Sequence, residues 1–101
     1  MFKVDLGIPF KATAEIPSPD GDLYPLECHF KWLGRDEFIA WCKDTAAKSD
    51  PEFFAPLIES WDADVPCDAE GMKTLFNRWP KAGRALFETY QRVLLGLEEK
   101  N

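Results

Sequence analysis

The sequence predicts an α+β fold, in which an N-terminal antiparallel β-hairpin is followed by three to four short α-helices. Up to Leu33 the apolar residues alternate with polar ones, as in half-buried strands; beyond it they recur at spacings of three and four, as in amphipathic helices. No repeat, linker or low-complexity segment interrupts the 101 residues. We therefore expect a single domain over 1–101, with the hairpin at 10–33 and the helical part at 35–99.

Two alternating segments flank a turn and predict the hairpin. The first, FKATAEI at 10–16, places four apolar side chains on one face: Phe10, Ala12, Ala14 and Ile16. The second, LYPLECHFKWL at 23–33, directs another four inward: Leu26, Cys28, Phe30 and Trp32. PSPDGD at 17–22 has the proline and Asp-Gly chemistry of a turn. Because Pro25 lacks an N–H group, the second strand either begins there or lies at an edge of the sheet.

The N-terminal segment MFKVDLG at 1–7 also alternates, and it fits either a third short strand or a loose arm. It lacks the long apolar stretch and the small-residue cleavage site of a signal peptide. No later run approaches the roughly twenty apolar residues that span a bilayer. These features predict a cytosolic protein.

Two helices are predicted between Gly34 and Trp61. The first follows a Gly34 cap, has acidic residues in its first turn, and carries the stripe Phe38, Trp41, Cys42 and Thr45. The second begins with Asp50 as N-cap and Pro51 in the first helical position. Its stripe is Phe54, Leu57, Ile58 and Trp61. Pro56 either kinks this helix or restricts it to a short segment.

Two further helices are predicted after Pro66. Asp68 is the expected N-cap of the third helix, whose apolar stripe is Met72, Leu75, Phe76 and Trp79. Pro80 separates it from the fourth. The fourth has the apolar line Ala82, Leu86, Tyr90, Val93 and Leu97, broadened by Phe87 and Leu94.

The acidic stretch between the second and third helices is the first candidate site. Its carboxylates are Asp62, Asp64, Asp68 and Glu70, with Cys67 among them. An EF-hand loop needs a glycine at position six and a glutamate at position twelve, and counting from Asp62 places Cys67 and Lys73 there. We therefore interpret the stretch as a capped joint between helices that displays acidic residues, without a bound metal.

Catalytic and cofactor motifs are also missing from the sequence. Cys28 and His29 are adjacent on a predicted strand and point to opposite faces, which disfavours a shared zinc ion. Cys28 and the other two cysteines, Cys42 and Cys67, are expected to be free thiols. No phosphate-binding loop, nucleophile elbow or dinucleotide fingerprint occurs. The sequence predicts a protein that is not an enzyme and needs no cofactor.

The charge of the chain limits its partners. The formal net charge is −6, and the 12 basic residues are scattered without a basic run. Nucleic-acid binding depends on clustered Lys and Arg, and anionic membranes attract the same residues. We expect neither nucleic acid nor membrane as a partner.

Several short motifs follow one another in a distinctive order: FKWL at residues 30–33, RDEF at 35–38, the Trp61-Asp62 pair, and Leu75 and Tyr90 in the two last helices. In this order they resemble the small tail assembly chaperones of long-tailed bacteriophages. The resemblance spans about two-thirds of the chain. It implies a protein that holds the tape measure protein soluble in the host cytoplasm and helps to recruit tail tube subunits around it.

The aromatic residues are the expected contact points of such a chaperone. Four tryptophans cannot all be fully buried in so small a core with every indole N–H satisfied, so some should be partly exposed. The candidate partner-binding residues are Trp32, Trp41, Trp61, Trp79, Asp62 and Asp64. Surplus aromatic surface and an edge near Pro25 also predict weak self-association. The alternative function is an acidic inhibitor or mimic domain that blocks a basic nucleic-acid-binding partner.

Overall fold

A computed structural model describes residues 1, 2, 4, 9–43 and 50–94 of the chain. In chain order its elements are β1 (Phe10–Pro17), β2 (Leu23–Phe30), α1 (Arg35–Lys43), α2 (Asp50–Phe54), β3 (Ile58–Trp61), α3 (Ala69–Arg78) and α4 (Ala82–Leu94). The three strands form one antiparallel sheet in the order β1-β2-β3. The α+β prediction is confirmed, and the expected strand or arm at 1–7 lies mostly outside the described residues.

The hairpin follows from its sequence pattern. Along β1 the burial alternates as predicted, with Ala12, Ala14 and Ile16 buried. In the turn, the Ser18 N–H donates to the Asp22 carbonyl at 2.7 Å, and Gly21 has φ +96°, a conformation that a residue with a Cβ rarely adopts. The antiparallel pairing of β1 with β2 places Phe10 opposite Phe30 at one end and Pro17 opposite Leu23 at the other.

The third strand is the main departure from the sequence prediction, which extended the second helix to Trp61. Helix α2 stops at Phe54, just before Pro56, and residues 58–61 instead pair antiparallel with β2. Proline disfavours helical dihedral angles at the residue that precedes it, so the helix ends before Pro56. The alternative that Pro56 restricts the helix to a short segment is confirmed, and the longer helix is wrong.

Pro25 lies in the middle strand, yet at a position that only β1 covers. The N–H of Asp62 donates to the carbonyl of Glu27 at 2.9 Å, and after Asp62 the segment that follows β3 leaves the sheet. Backbone N–H and C=O groups of alternate residues point to the same edge of a strand. Those of Glu27 point towards β3, so those of Pro25 point to the same edge, at a place that β3 does not reach. The missing N–H therefore breaks no ladder bond. The expectation that the second strand begins at Pro25 or lies at an edge of the sheet is wrong, because β2 begins at Leu23 and is the middle strand.

The core lies between one face of the sheet and the helices. Its largest fully buried side chains are Tyr90, Phe30, Leu57, Met72 and Leu86. Tyr90 on α4 is surrounded by four aromatic rings with centroids 5.4–6.2 Å away: Phe10, Phe30, Phe38 and Trp41. Its hydroxyl donates to the Lys31 carbonyl at 3.0 Å and accepts from the Leu33 N–H at 3.1 Å. This side chain thereby joins α4 to the segment that follows β2.

Helix caps agree with the sequence where they are described. The Glu37 carboxylate accepts from the Gly34 N–H at 3.2 Å, which supports the start of α1. The Asp68 carboxylate accepts from the Gly71 N–H at 2.9 Å and caps α3 as predicted. Thr45 and Leu97, which were expected to extend two apolar stripes, lie outside the described residues. None of the helices in the described part of the chain is long and apolar enough to span a membrane.

Candidate functional site

The loop between β3 and α3 is held in one shape by three contacts. The indole N–H of Trp61 donates to the Val65 carbonyl at 2.9 Å, which closes the first half of the loop. At its other end Asp68 caps α3. Between them the Pro66 carbonyl lies against Gly71, where an added Cβ would stand only 1.6 Å from the Pro66 oxygen. The loop therefore rests on the first turn of α3 as tightly as a glycine permits.

This loop forms one wall of a cleft of about 480 Å³. The other walls are the hairpin and the C-terminal half of α3. Apolar side chains make up most of the lining: Ile16, Pro25, Leu26, Ala63, Val65, Leu75 and Trp79. The polar lining consists of Asp62, Asp64, Thr74 and Arg78. A concave surface of this kind can receive apolar side chains of another molecule.

The carboxylates are concentrated on the loop side of the cleft. Asp62 and Asp64 are exposed, as are Asp68 and Glu70 just beyond them, while Arg78 approaches from α3. Because the loop is braced, Asp62 and Asp64 are presented on a fixed segment. The cleft thus combines an apolar lining with a negatively charged wall.

The structure distributes the four tryptophans over different environments, as their number predicted. Trp79 is half-buried, lines the cleft, and packs edge-on against the half-exposed Tyr24 with centroids 5.4 Å apart. Trp61 is half-buried and stabilises the loop through its hydrogen bond to the Val65 carbonyl. Trp79, Asp62 and Asp64 therefore come together, with Trp61 as their support.

The other two candidate tryptophans lie elsewhere. Trp41 is only 6% exposed. Its ring stacks on that of Phe53, with ring centroids 3.9 Å apart, and its indole N–H donates to the Phe53 carbonyl oxygen at 2.6 Å. It is a core residue. Trp32, predicted to point inward, lies beyond the end of β2, is 43% exposed, and packs on Phe10 at 4.5 Å. The inward orientation of Trp32 is wrong, because the strand and its alternation end at Phe30.

Several lining residues were missed by the sequence interpretation. Pro25 was noted only as a strand feature and Leu75 only for its apolar stripe and the family resemblance, and neither Thr74 nor Arg78 was identified as a site residue. The last two are spaced i, i+4 and so share one helix face. That spacing was readable in the sequence, but the partner of this face was not, because the loop lies beside it only through tertiary packing.

Thiol and metal chemistry find little support among the described residues. Burial raises the pKa of the Cys28 thiol to about 12, with smaller contributions from Cys67 and Glu27, and burial also raises the pKa of Cys42 and Cys67. All three are free cysteines. A raised pKa disfavours the reactive thiolate. Within 9–43 and 50–94 no three His, Cys, Asp or Glu side chains are grouped to hold a metal ion.

A second cavity, of about 490 Å³, lies beside α4 and the outer residues of the hairpin. Its charged lining mixes both signs: Glu15, Lys81, Arg84, Glu88 and Arg92. Arg84 already pairs with Glu88 at 2.9 Å. The mixture favours a solvated helix face over a recognition surface.

A small α+β protein with a braced acidic loop, an apolar cleft and protonated thiols has the features of a protein-binding domain. Comparison with protein families identifies which one: the chain belongs to the phage tail assembly chaperones, whose family model matches residues 2–101. The resemblance found in the sequence is thereby confirmed. Membership in a chaperone family favours a role without catalysis and implies protein partners in tail assembly. The comparisons with curated proteins and with solved structures found no match.

Proposed function

We propose that this protein binds the tape measure protein of the phage tail, keeps it soluble, and helps to recruit tail tube subunits, without catalysing a reaction. The family places the chain in tail assembly. The observation that carries the molecular part of the proposal is the apolar cleft beside the acidic loop, with Trp79 in its lining. These contacts would be made in the cytoplasm of the host cell, where the tail proteins are synthesised.

The physical task of such a chaperone is to cover apolar surface until assembly. A long chain with exposed apolar stripes associates with itself, since burial of apolar area is favourable by roughly 25 cal/mol per Å². A small partner that covers the stripe removes this driving force. Its net charge of −6 adds negative charge to each complex, which favours repulsion between complexes and so their solubility.

Co-expression of this protein with the tape measure protein of the same phage tests the proposal. The tape measure protein should move from the insoluble to the soluble fraction only when this chain is present. A pull-down of the complex should then retain the tail tube protein when that protein is added. Failure to solubilise the tape measure protein, despite equal expression of both proteins, contradicts the proposal.

Salt separates this function from the acidic mimic. A partner held mainly by apolar contacts stays bound at high salt, whereas one held by charge is released as the charges are screened. Retention of the tape measure protein in about 1 M salt, where the screening length is roughly 3 Å, supports the chaperone. Complete release at that salt concentration favours the mimic.

A further inference from the structure

The cleft beside the acidic loop is chemically specific, and we propose that its ligand is an amphipathic α-helix that carries a Lys or Arg next to its apolar stripe. The apolar anchors of this helix enter the lining around Leu75 and Trp79, and its basic residue meets Asp62 and Asp64. The inference rests on the proposed function, which it extends by naming the secondary structure and the charge of the bound segment.

The sheet disfavours an extended ligand. The residues of β2 that precede Glu27 have an open side next to the cleft, where a strand of another chain could in principle add. Pro25 occupies this open stretch and offers a carbonyl without an N–H, so an added strand would lose a bond in the middle of its ladder. Strand addition depends on main-chain hydrogen bonds for its affinity. A helix satisfies its own backbone and needs only side-chain contacts, which the apolar lining provides.

The charges of the cleft select a basic ligand. Asp62 and Asp64 lie on the loop that Trp61 and Gly71 hold in place, so binding costs little ordering of that segment. Among the described residues, Arg78 is the one cation in the lining, and it projects from α3 rather than from the loop. The chain as a whole carries −6 and attracts basic segments at longer range. An acidic helix would be repelled by two carboxylates and by the net charge of the chain, and of the described lining residues only Arg78 would attract it.

Designed peptides test the inference directly. The probe is a fluorescent 18-residue amphipathic helix, of a length chosen to give about five turns, with leucines on one face and lysines along its flank. The first comparison peptide has glutamate in place of each lysine. The second has the same lysine count in an alternating valine-threonine sequence that favours an extended conformation. Fluorescence anisotropy with the full chain measures affinity.

The lysine-flanked helix should bind more tightly than both comparison peptides. Asp62→Asn combined with Asp64→Asn should weaken it by about threefold to tenfold, because each exposed ion pair contributes little by itself. The control is Glu15→Gln combined with Asp36→Asn, which removes the same charge from exposed positions that do not line the cleft. This control should change the affinity by less than about twofold.

A second pair of variants tests the location. Thr74→Lys introduces a long cationic side chain into the lining, whereas Asn77→Lys makes the same charge change on an exposed residue of α3 outside the lining. Thr74→Lys should abolish most of the binding and Asn77→Lys should preserve it. Thermal unfolding of both variants verifies that they are folded.

The inference is overturned if the glutamate-flanked helix or the extended peptide binds as tightly as the lysine-flanked helix. It is also overturned if Thr74→Lys and Asn77→Lys have equal effects, or if no peptide binds at about millimolar concentration. Solubilisation of the tape measure protein by the Thr74→Lys variant would then leave the proposed function standing without this cleft. Peptide binding without solubilisation would show the opposite: a helix-binding cleft whose biological partner is a different protein.

Discussion

Asp68 illustrates how a single residue can be interpreted from sequence and then located in the fold. Its carboxylate accepts from the Gly71 N–H at 2.9 Å and satisfies one of the free N–H groups in the first turn of α3. Asp68→Ala should lower the free energy of unfolding by about 1 kcal/mol. Urea denaturation measures this change. Asp64→Ala in the same loop is the control and should stay within about 0.5 kcal/mol of the parent; equal effects would mean that the cap contributes nothing.

Tyr90 connects α4 to the chain that leaves β2, and its hydroxyl is the residue-level feature to test. Tyr90→Phe keeps the buried ring but removes both the bond to the Lys31 carbonyl and the bond from the Leu33 N–H. We expect a loss of roughly 1–3 kcal/mol in the free energy of unfolding, since the two backbone groups lose their partner.

Tyr24→Phe is the matched control for that change. Tyr24 is 49% exposed and removal of its hydroxyl should change stability by less than about 0.5 kcal/mol. Chemical denaturation of the two variants, measured side by side, decides the matter. If both variants have the same unfolding midpoint as the parent, the Tyr90 hydroxyl is dispensable.

At the scale of elements, the close packing of the loop on α3 opposes helix propensity at Gly71. Alanine is favoured over glycine inside a helix by about 1 kcal/mol, so Gly71→Ala would stabilise an isolated helix. Here the new Cβ would lie 1.6 Å from the Pro66 oxygen and 2.8 Å from its carbonyl carbon, and neither is a flexible side-chain end. We expect a net loss of roughly 1–3 kcal/mol, because either the loop or the helix must move.

The measurement for Gly71→Ala is denaturant unfolding together with peptide affinity. The displaced loop should also weaken binding of the lysine-flanked helix, since Asp62 and Asp64 move with it. Glu70→Ala, at an exposed neighbouring position, controls for the change in the first turn. A Gly71→Ala protein that is more stable than the parent would mean that propensity outweighs the contact.

At the scale of the whole molecule, a buried thiol and a buried phenol predict a loss of stability in alkaline solution. Burial raises the pKa of Cys28 from 9.0 to about 12, so the folded state favours the protonated thiol. The stabilisation is complete below about pH 9 and is lost as the pH rises from 9 towards 12, where the unfolded chain releases its proton first. Burial likewise raises the pKa of Tyr90, which adds a loss in the same direction above pH 10.

Urea unfolding at a series of pH values measures this dependence. The free energy of unfolding of the parent should decline steadily through the alkaline range. Cys28→Ala removes the titrating thiol, so this variant should lose less stability over the same range although it starts from a lower value. Equal slopes for the two proteins would mean that Cys28 does not contribute to the decline.

Exposed apolar surface predicts weak self-association of the whole protein. Four large side chains on the described surface are more than 40% exposed outside the N-terminal segment: Leu23, Tyr24, Trp32 and Ile39. Light scattering should show a rising apparent mass towards about millimolar concentration, and the rise should persist in salt because the contacts are apolar. A strictly monomeric protein over that range contradicts the prediction.

The sequence by itself determined the features that depend on near neighbours. Alternation with a period of two identified β1 and most of β2, because each strand buries one face. The turn chemistry of 17–22, the Asp68 cap and the apolar stripes of α3 and α4 depend on residues within a few positions of one another. These local rules also placed the acidic stretch correctly before α3, but the expectation that it joins two helices is wrong, because the strand β3 precedes it.

Only the tertiary structure decided the third strand and the cleft. Ile58 and Trp61 have the spacing of a helical stripe, but the segment Ile58–Trp61 forms a strand because it pairs with β2, which is distant in sequence. The same docking places the loop beside α3 and leaves Pro25 uncovered, which together create the cleft. Burial of Trp41 and exposure of Trp32 follow from where elements end and pack. Such outcomes depend on contacts between distant segments, which periodicity along one segment does not encode.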